Sequence, residues 1–550
     1  MMNNITIGGK AGDGIKAAGQ LISKVLGDYG YNVFILDDYP SLITGGHNFN
    51  KITFSEEKVY SYYKQTDILV ALNKDTIEKH TDELSKGGII LFDSNKITDF
   101  KEGIGIPAQD FVKEVEGIPI MRNSVLLGAL CRALGVELEK LNNEFIKKYS
   151  DEKAKKNIEL AKKGYGYVQD KIKPEKGLEK VGESKNLFTG NQLIARGSVK
   201  AGLDNYIAYP MTPASSILHY LAENKNKFEI KTVHPENEIG AVNMAIGSAF
   251  AGAKTMTGTS GGGFALMTEA LSLAGISEVP LLFIESQRTG PSTGVPTYTA
   301  QADLDFVLTA GHGEFPRIVL APGTHEQAFY LTAEALNLAW QFQVPVILLS
   351  DKHLSESWST VSLDESKVKP FEVKATTGDK RYKQTEDGIS PFIFPGVANS
   401  MVKGTSYEHD ERGITVEDPQ AVVDMQNKRL RKMKTMKKEM RGVETVKVYG
   451  EGKNVVVTWG STIGAVLEAT KGLEDVKVVQ VLYMKPFPVE KFLNEVKESE
   501  KICCVEANVT GQLANLIKAQ TGVAAEKILK YDSRQFEPLQ LKDYLGRWLA

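Results

Sequence analysis

The sequence of 550 residues contains only three cysteines, Cys131, Cys503 and Cys504, and no CxxC pair accompanies them. This scarcity excludes a disulfide framework and a self-contained iron–sulfur or zinc site, so no metal site is assigned to this chain. Cys503 and Cys504 lie in the apolar run KICCVEA, which is typical of a buried strand rather than of a reactive site. Any iron–sulfur chemistry would therefore belong to another chain.

An excess of charge of one sign is also lacking. The sequence has 66 basic and 69 acidic side chains, so its formal net charge is −3. This charge provides no overall positive electrostatic field that would bind nucleic acid or an anionic membrane. Uncharged apolar runs remain shorter than the roughly 18 residues that a membrane helix needs. The N-terminus, MMNNITIGGKAGDG, lacks the pattern of a secretory signal. We expect no nucleic-acid partner, no membrane and a cytoplasmic location.

Short β-branched runs alternate with helical stretches over most of the chain, which predicts an α/β fold with helix-covered, mainly parallel sheets. The length corresponds to about three or four domains. We predict three sheet domains, at residues 1–185, 186–352 and 447–550, and a connecting segment at 353–446. This segment ends in a basic helix at 428–441, which we interpret as solvated or subunit-facing rather than as a nucleic-acid patch, because no aromatic residues are interleaved with it.

The stretch YPMTPASS, which begins at Tyr209, follows the strand-like run NYIAY and precedes an amphipathic helix. Open α/β sheets bind ligands at the carboxyl ends of their strands. Thr212 lies between two prolines, and Pro213 can open the next helix, whose unpaired N–H groups favour a carboxylate. Helix capping alone is the alternative explanation of these residues.

Four segments in order carry a specific resemblance: YPMTP, ENEIGAVNMAIGSAFAGAKTMTGTSGGGFALM, QRTGPSTGVPTYTAQADL and HGEFPRIVLAP. Together they resemble the α subunit of the thiamine-diphosphate-dependent 2-oxoacid:ferredoxin oxidoreductases. Residues 1 to about 180 resemble the γ domain that is fused ahead of α in one branch of that family. The resemblance thus implies a γ-like domain, a pyrimidine-binding domain and, at 447–550, a transketolase C-terminal-like domain.

The resemblance also implies roles for individual residues. Glu238 corresponds to the glutamate that activates the aminopyrimidine ring of the cofactor, a task that needs a protonated carboxyl group. Thr212 and Arg288 would bind the carboxylate of the 2-oxoacid beside it, and Ser292 and Thr293 would shape the pocket wall. The residues implied to bind the cofactor, in addition to Glu238, are Tyr209, Pro210, Met211, Thr259, Ser260 and Gly261.

Some positions depart from the family pattern. Gly262 stands where the family has proline, Met211 where isoleucine is common, and Thr44 where the segment TGGHNF usually has arginine. The GDG of AGDGIKAAG does not form the diphosphate-binding motif of thiamine enzymes, because Asn32 follows Gly14 by only eighteen residues. A plain turn from strand to helix is the favoured interpretation of this glycine-rich stretch at 9–14.

The implied reaction is the oxidative decarboxylation of a 2-oxoacid with coenzyme A to acyl-CoA and CO₂, with electrons passing to ferredoxin. A separate β subunit would supply the diphosphate and Mg²⁺ site and the iron–sulfur cluster, so this chain would work in a heteromer of anaerobic metabolism. Two alternatives are a transketolase-type thiamine-diphosphate transferase subunit and a nicotinamide- or nucleotide-binding protein. The second is motivated by the glycine-rich turn.

Overall fold

A computed structural model describes residues 3–41, 46–172 and 177–550. The chain divides into two compact units. The first comprises the residues up to Thr189 together with Glu356–Ser362 and Glu537–Tyr544, and the second comprises Gly190–Ser355, Leu363–Phe536 and Leu545–Ala550.

The helices and strands follow in chain order. The elements up to residue 189 are β1 (Asn3–Lys10), α1 (Ile15–Asp28), β2 (Asn32–Asp38), β3 (His47–Ser55), β4 (Thr66–Ala71), α2 (Lys74–His80), β5 (Leu84–Asp93), β6 (Ile104–Ile106), α3 (Ala108–Glu114), α4 (Arg122–Leu134), α5 (Leu138–Lys148), α6 (Asp151–Tyr167) and β7 (Asn186–Thr189). The next elements are α7 (Gly190–Lys200), β8 (Asn205–Ile207), α8 (Ser215–Glu223), α9 (Lys225–Phe228), β9 (Lys231–Val233), α10 (Glu238–Phe250), β10 (Thr255–Thr259), α11 (Gly261–Leu266), α12 (Thr268–Ile276), β11 (Leu281–Gln287), α13 (Leu304–Thr309), β12 (Ile318–Leu320), α14 (His325–Phe342), β13 (Pro345–Asp351) and α15 (Lys352–Glu356). The last elements are β14 (Trp358–Val361), α16 (Pro419–Glu439), β15 (Val446–Tyr449), β16 (Asn454–Thr458), α17 (Thr462–Thr470), β17 (Val476–Val481), β18 (Tyr483–Lys485), α18 (Val489–Val496), β19 (Lys501–Glu506), α19 (Gln512–Thr521), β20 (Glu526–Leu529) and α20 (Pro538–Leu549).

The first unit contains an eight-stranded sheet in the order β6-β5-β4-β1-β3-β2-β14-β7. The neighbouring strands β6, β5, β4 and β1 pair parallel to one another. Every pairing on the other side of β1, through β3, β2 and β14 to β7, is antiparallel. This sheet is therefore more mixed than the alternation of strands and helices indicated. In addition, β14 comes from the region predicted as a connecting segment and lies between β2 and β7 in this sheet.

The second unit contains two sheets, and both are mainly parallel. The seven-stranded sheet has the order β18-β12-β13-β11-β10-β8-β9, in which only β12 and β18 pair antiparallel. The five-stranded sheet has the order β15-β17-β16-β19-β20, in which only β15 and β17 do so. The prediction of an α/β protein with three helix-covered sheets is thus confirmed.

The prediction that the basic helix is solvated or subunit-facing is wrong for its most buried residues. In α16, Lys428 and Lys432 are fully buried, and both ammonium groups bind the carboxylate of Glu278, which is itself buried. Arg429 is also buried and donates to Glu408. A buried lysine needs an anionic partner, and Glu278, about 150 residues earlier in the chain, provides one.

Candidate active site

Three neighbouring parallel strands of the second unit, β8, β10 and β11, end at the same edge of the seven-stranded sheet. The segment 209–212 follows β8, Ser260 follows β10 and Arg288 follows β11. The Arg288 Nη1 atom donates a hydrogen bond to the Thr212 carbonyl oxygen at 2.8 Å. The structure therefore brings Thr212 and Arg288 together at the edge where open α/β sheets bind ligands.

The side chain of Arg288 is half-buried and is held through one of its nitrogens. Burial lowers the pKa of its guanidinium below the usual value, but an arginine stays charged at neutral pH. Because a guanidinium carries five N–H donors, it can bind a carboxylate through two of them while it keeps the contact with Thr212.

Glu238 is the first residue of α10, and only 4% of it is exposed. The preceding Asn237 caps the helix by accepting a hydrogen bond from the Gly240 N–H at 2.8 Å. The Oε1 atom of Glu238 is buried without a hydrogen-bond partner among the described residues. A Cβ atom on Gly263 would lie 2.7 Å from this Oε1 and 2.1 Å from Thr259 Oγ1, so both side chains lie against the start of α11.

Other buried polar groups of β10 and of the residue that follows it also lack partners within the described parts of the chain. Ser260, immediately before α11, is fully buried, and its hydroxyl has no hydrogen bond; the same holds for the Thr257 hydroxyl in β10. The Thr259 hydroxyl lies 3.9 Å from Met211 Sδ, which joins the segment after β8 to the end of β10. Buried polar atoms nearly always find partners, so this group of unpartnered atoms indicates a ligand site.

The remaining predicted site residues lie in less buried surroundings. Tyr209, Pro210 and Met211 are half-buried, and the Tyr209 ring packs edge-on against His234 with 5.7 Å between ring centroids. Ser292 and Thr293 are exposed, in a loop after β11 that is closed by a 3.0 Å hydrogen bond from the Val295 N–H to the Thr289 carbonyl. Their role in a pocket wall stays a prediction.

Two acidic residues of this region were missed by the sequence interpretation. Glu285 in β11 pairs in register with Thr259 of β10 and is fully buried. Asp303, just before α13, lies against Gly261, because a Cβ atom there would be 2.7 Å from Asp303 Oδ2. The only sequence signal was that Asp303 belongs to the quoted segment ending in QADL. Burial raises the pKa of Glu285 well above its usual value and that of Asp303 to about 6.

The glycine-rich turn between β1 and α1 belongs to the first unit. Asp13 Oδ2 accepts a hydrogen bond from the Lys10 N–H at 2.8 Å, and Asp13 Oδ1 forms a 2.7 Å ion pair with Arg122. These contacts stabilise the turn itself, as expected for a plain turn from strand to helix. Thr44, the departure from the family in TGGHNF, lies outside the described residues.

The described ranges contain no group of three or more His, Cys, Asp and Glu residues arranged to hold a metal ion. All three cysteines are buried, and burial raises the pKa of the Cys131 thiol to about 12. Across the same ranges, every helix is too short or too polar to cross a bilayer.

Two parts of the chain match known protein families. Residues 196–428 match the family described as pyruvate flavodoxin/ferredoxin oxidoreductase, thiamine diP-bdg, and residues 4–167 match pyruvate ferredoxin/flavodoxin oxidoreductase. The matched regions define an oxidoreductase with a thiamine-diphosphate-binding domain.

Relatives extend the match over nearly the whole chain. The chain is 31% identical to the 2-oxoacid:ferredoxin oxidoreductase subunit alpha of Saccharolobus solfataricus, over 98% of this chain and 96% of that one. It is 28% identical to the 2-oxoglutarate oxidoreductase subunit KorA of Mycobacterium tuberculosis, over 99% of this chain and 90% of that one. The chain belongs to the 2-oxoacid:ferredoxin oxidoreductases, as a member of the α-subunit family.

A solved structure supports the same assignment. It is a 2-oxoglutarate:ferredoxin oxidoreductase from Magnetococcus marinus with 2-oxoglutarate, coenzyme A and succinyl-CoA bound. The two chains match over their full lengths with a TM-score of 0.90 and 29% sequence identity.

Proposed function

We propose that this chain forms half of a thiamine-diphosphate site, in which the carboxyl group of Glu238 holds the proton that activates the aminopyrimidine ring. The observation that supports this role best is the buried Glu238 Oε1 atom without a hydrogen-bond partner among the described residues. A carboxyl group with a free oxygen in that position can form a hydrogen bond with a ring nitrogen of the cofactor and exchange a proton with it. Bound thiamine diphosphate supplies the carbanion-stabilising chemistry that decarboxylation of a 2-oxoacid requires.

The substrate contacts are proposed to come from Thr212 and Arg288. The guanidinium would hold the carboxylate of the 2-oxoacid, and its hydrogen bond to the Thr212 carbonyl fixes its direction. Tyr209, Pro210 and Met211, on the segment after β8, would form the wall beside the ring. Ser292 and Thr293 would contact the substrate from their exposed loop.

The remaining parts of the site are proposed to lie on a β subunit, which would supply the diphosphate and Mg²⁺ site and an iron–sulfur cluster. This division is supported by the relatives, which are named as alpha subunits. It is also supported by the three buried cysteines, because iron–sulfur clusters are usually held by four cysteine thiolates. Coenzyme A would take the acyl group, and ferredoxin would take the electrons. The M. marinus structure with coenzyme A bound supports the first of these steps.

The role of Glu238 is tested by Glu238→Gln in the complex purified with its β subunit. The amide keeps the size of the side chain but cannot transfer the proton, so turnover should fall by at least about a hundredfold. Turnover is measured as reduction of a viologen dye with 2-oxoacid, coenzyme A and thiamine diphosphate.

The matched control is Glu236→Gln, since Glu236 is exposed two residues earlier and should tolerate the change. A Glu238→Gln complex with near-normal turnover would reject the assignment. Saturable binding of NADH by the native complex would favour the nicotinamide-binding alternative.

A further inference from the structure

The acidic residues Glu285 and Asp303 lie beside the first turn of α11, at 260–263, and the role inferred for them rests on the proposed function of Glu238. Glu285 is fully buried, and neither of its carboxyl oxygens receives a hydrogen bond from a donor among the described residues. The side chain of Glu285 instead forms a hydrogen bond with the carboxyl group of Asp303. Two ionised carboxylates have only acceptor atoms, so a contact between them requires a proton.

We propose that Glu285 and Asp303 share one proton, and that this hydrogen-bonded pair positions the first turn of α11, and through it Glu238, for binding thiamine diphosphate. Both are positioning residues, because they act through the turn rather than on the ring. The role differs from that of Glu238, whose proton is proposed to serve the cofactor itself.

The link from the pair to the turn runs through Asp303. Its carboxyl group packs against Gly261, where a Cβ atom would lie 2.7 Å from Oδ2. Its backbone N–H donates to Gln287 Oε1 at 3.0 Å, and the Gln287 side chain donates to the Ser350 carbonyl at 3.0 Å. Asp303 is therefore fixed to the end of β11 and supports the start of α11 from that side.

The link from the turn to Glu238 runs through Gly263 and Thr259. Gly263 leaves just enough space for Glu238 Oε1 and the Thr259 hydroxyl, as the short distances from its hypothetical Cβ show. Glu285, in β11, is the register partner of Thr259 in the neighbouring strand β10. The pair of Glu285 and Asp303 therefore flanks the turn on the side of β11. A shift of the turn would change the space in which Glu238 is held.

Electrostatics favours one proton on the pair at neutral pH. Burial, then the charges of Asp303 and Asp351, raises the pKa of Glu285 well above its usual value. Burial also raises the pKa of Asp303, to about 6, but its hydrogen bond with Glu285 lowers this pKa, so the proton of the pair lies mainly on Glu285. Asp351, at the end of β13, accepts from the Leu354 and Ser461 N–H groups at 3.0 and 3.2 Å. The acids that act on Glu285 thus all favour its neutral form.

The test compares Glu285→Ala, Glu285→Gln and Asp303→Ala in the complex assembled with the β subunit. Calorimetric titration with thiamine diphosphate measures the dissociation constant. Both alanine variants should raise it about tenfold, since the loss of one partner of the hydrogen-bonded pair removes the support of the turn that holds Glu238. Glu285→Gln should bind within about twofold of the native complex, because its amide N–H can donate to Asp303 in place of the shared proton.

A second measurement detects the proton itself. The infrared spectrum of the native complex should contain a protonated-carboxyl band at neutral pH that Glu285→Gln removes, an effect that a merely structural role would not produce. The control is Glu334→Gln, a change at an acid in α14 that accepts a 2.6 Å hydrogen bond from Tyr483. This variant should leave the dissociation constant unchanged.

The inference is overturned if Asp303→Ala binds like the native complex, if Glu285→Gln is as impaired as Glu285→Ala, or if the infrared band is missing. Asp303 is only half-buried, so its variant keeps the test open should Glu285→Ala fail to assemble. A native complex that does not bind thiamine diphosphate refutes the proposed function instead. The proposed function stands if the native complex binds thiamine diphosphate and Glu238→Gln lowers turnover. If the alanine variants then bind thiamine diphosphate as the native complex does, only this inference is refuted.

Discussion

Gly263→Ala is the substitution whose effect the structure specifies most closely. The added Cβ atom would lie 2.1 Å from Thr259 Oγ1 and 2.7 Å from Glu238 Oε1. Non-bonded atoms prefer separations of about 3.5 Å or more. The backbone of Thr259 belongs to a central strand and its β-branched side chain is stiff, so we expect relief of the overlap to displace the Glu238 carboxyl, the helix start or both by about 1 Å.

A misplacement of about 1 Å can lower an enzymatic rate roughly a hundredfold. We therefore expect kcat/KM of the complex to fall by about that factor, which corresponds to about 2.7 kcal/mol of transition-state stabilisation. The assay is viologen reduction by the complex purified with its β subunit, at saturating coenzyme A and thiamine diphosphate. Circular dichroism of the same samples reports whether the fold is intact.

The matched control is the neighbouring glycine. A Cβ atom on Gly262 would have no atom within 4 Å, so Gly262→Ala should retain activity within about twofold. The reasoning is refuted if folded Gly263→Ala keeps more than about a tenth of the native kcat/KM, or if both alanine variants lose activity equally. Either result would mean that the packing at the start of α11 does not hold Glu238 in place.

The remaining predictions concern substrate binding and stability. Arg288→Ala should raise the KM for the 2-oxoacid about tenfold or more with a smaller effect on kcat, because a charged hydrogen bond made in the ground state is lost. An unchanged KM in steady-state assays would count against the contact between Arg288 and the substrate carboxylate. Glu278→Ala leaves the buried ammonium groups of Lys428 and Lys432 unpaired and should lower the free energy of unfolding by about 3–5 kcal/mol, measured as a lower midpoint of urea unfolding. Removal of the exposed Glu490, which pairs with an exposed arginine, should change this midpoint little. The two lysines, against the opposing effect of burial, hold the pKa of Glu278 well below its usual value. The contribution of Glu278 is therefore complete above the unfolded pKa of about 4.3 and is lost as the pH falls through the folded pKa; a midpoint difference between native and variant that persists unchanged in strong acid would contradict this.

Much of the candidate site could be predicted from the sequence, because its residues lie in short segments directly after strands. Thr212, Ser260 and Arg288 each follow a strand, and parallel neighbours bring such segments to one edge. Glu238 was identifiable because the small-residue helix that it begins is part of a specific family motif. The three helix-covered sheets followed from local periodicity in the same way.

The sequence alone determined which segments form strands, which turns follow them and which residues could carry chemistry, since these depend on neighbours along the chain. Tertiary structure decided the contacts across long separations: β14 joining the first sheet, Lys428 and Lys432 binding Glu278, and Asp303 facing Glu285. Periodicity shows whether a side chain can be buried but not which group it meets. For a buried charge or proton, that partner sets the protonation state and therefore the function.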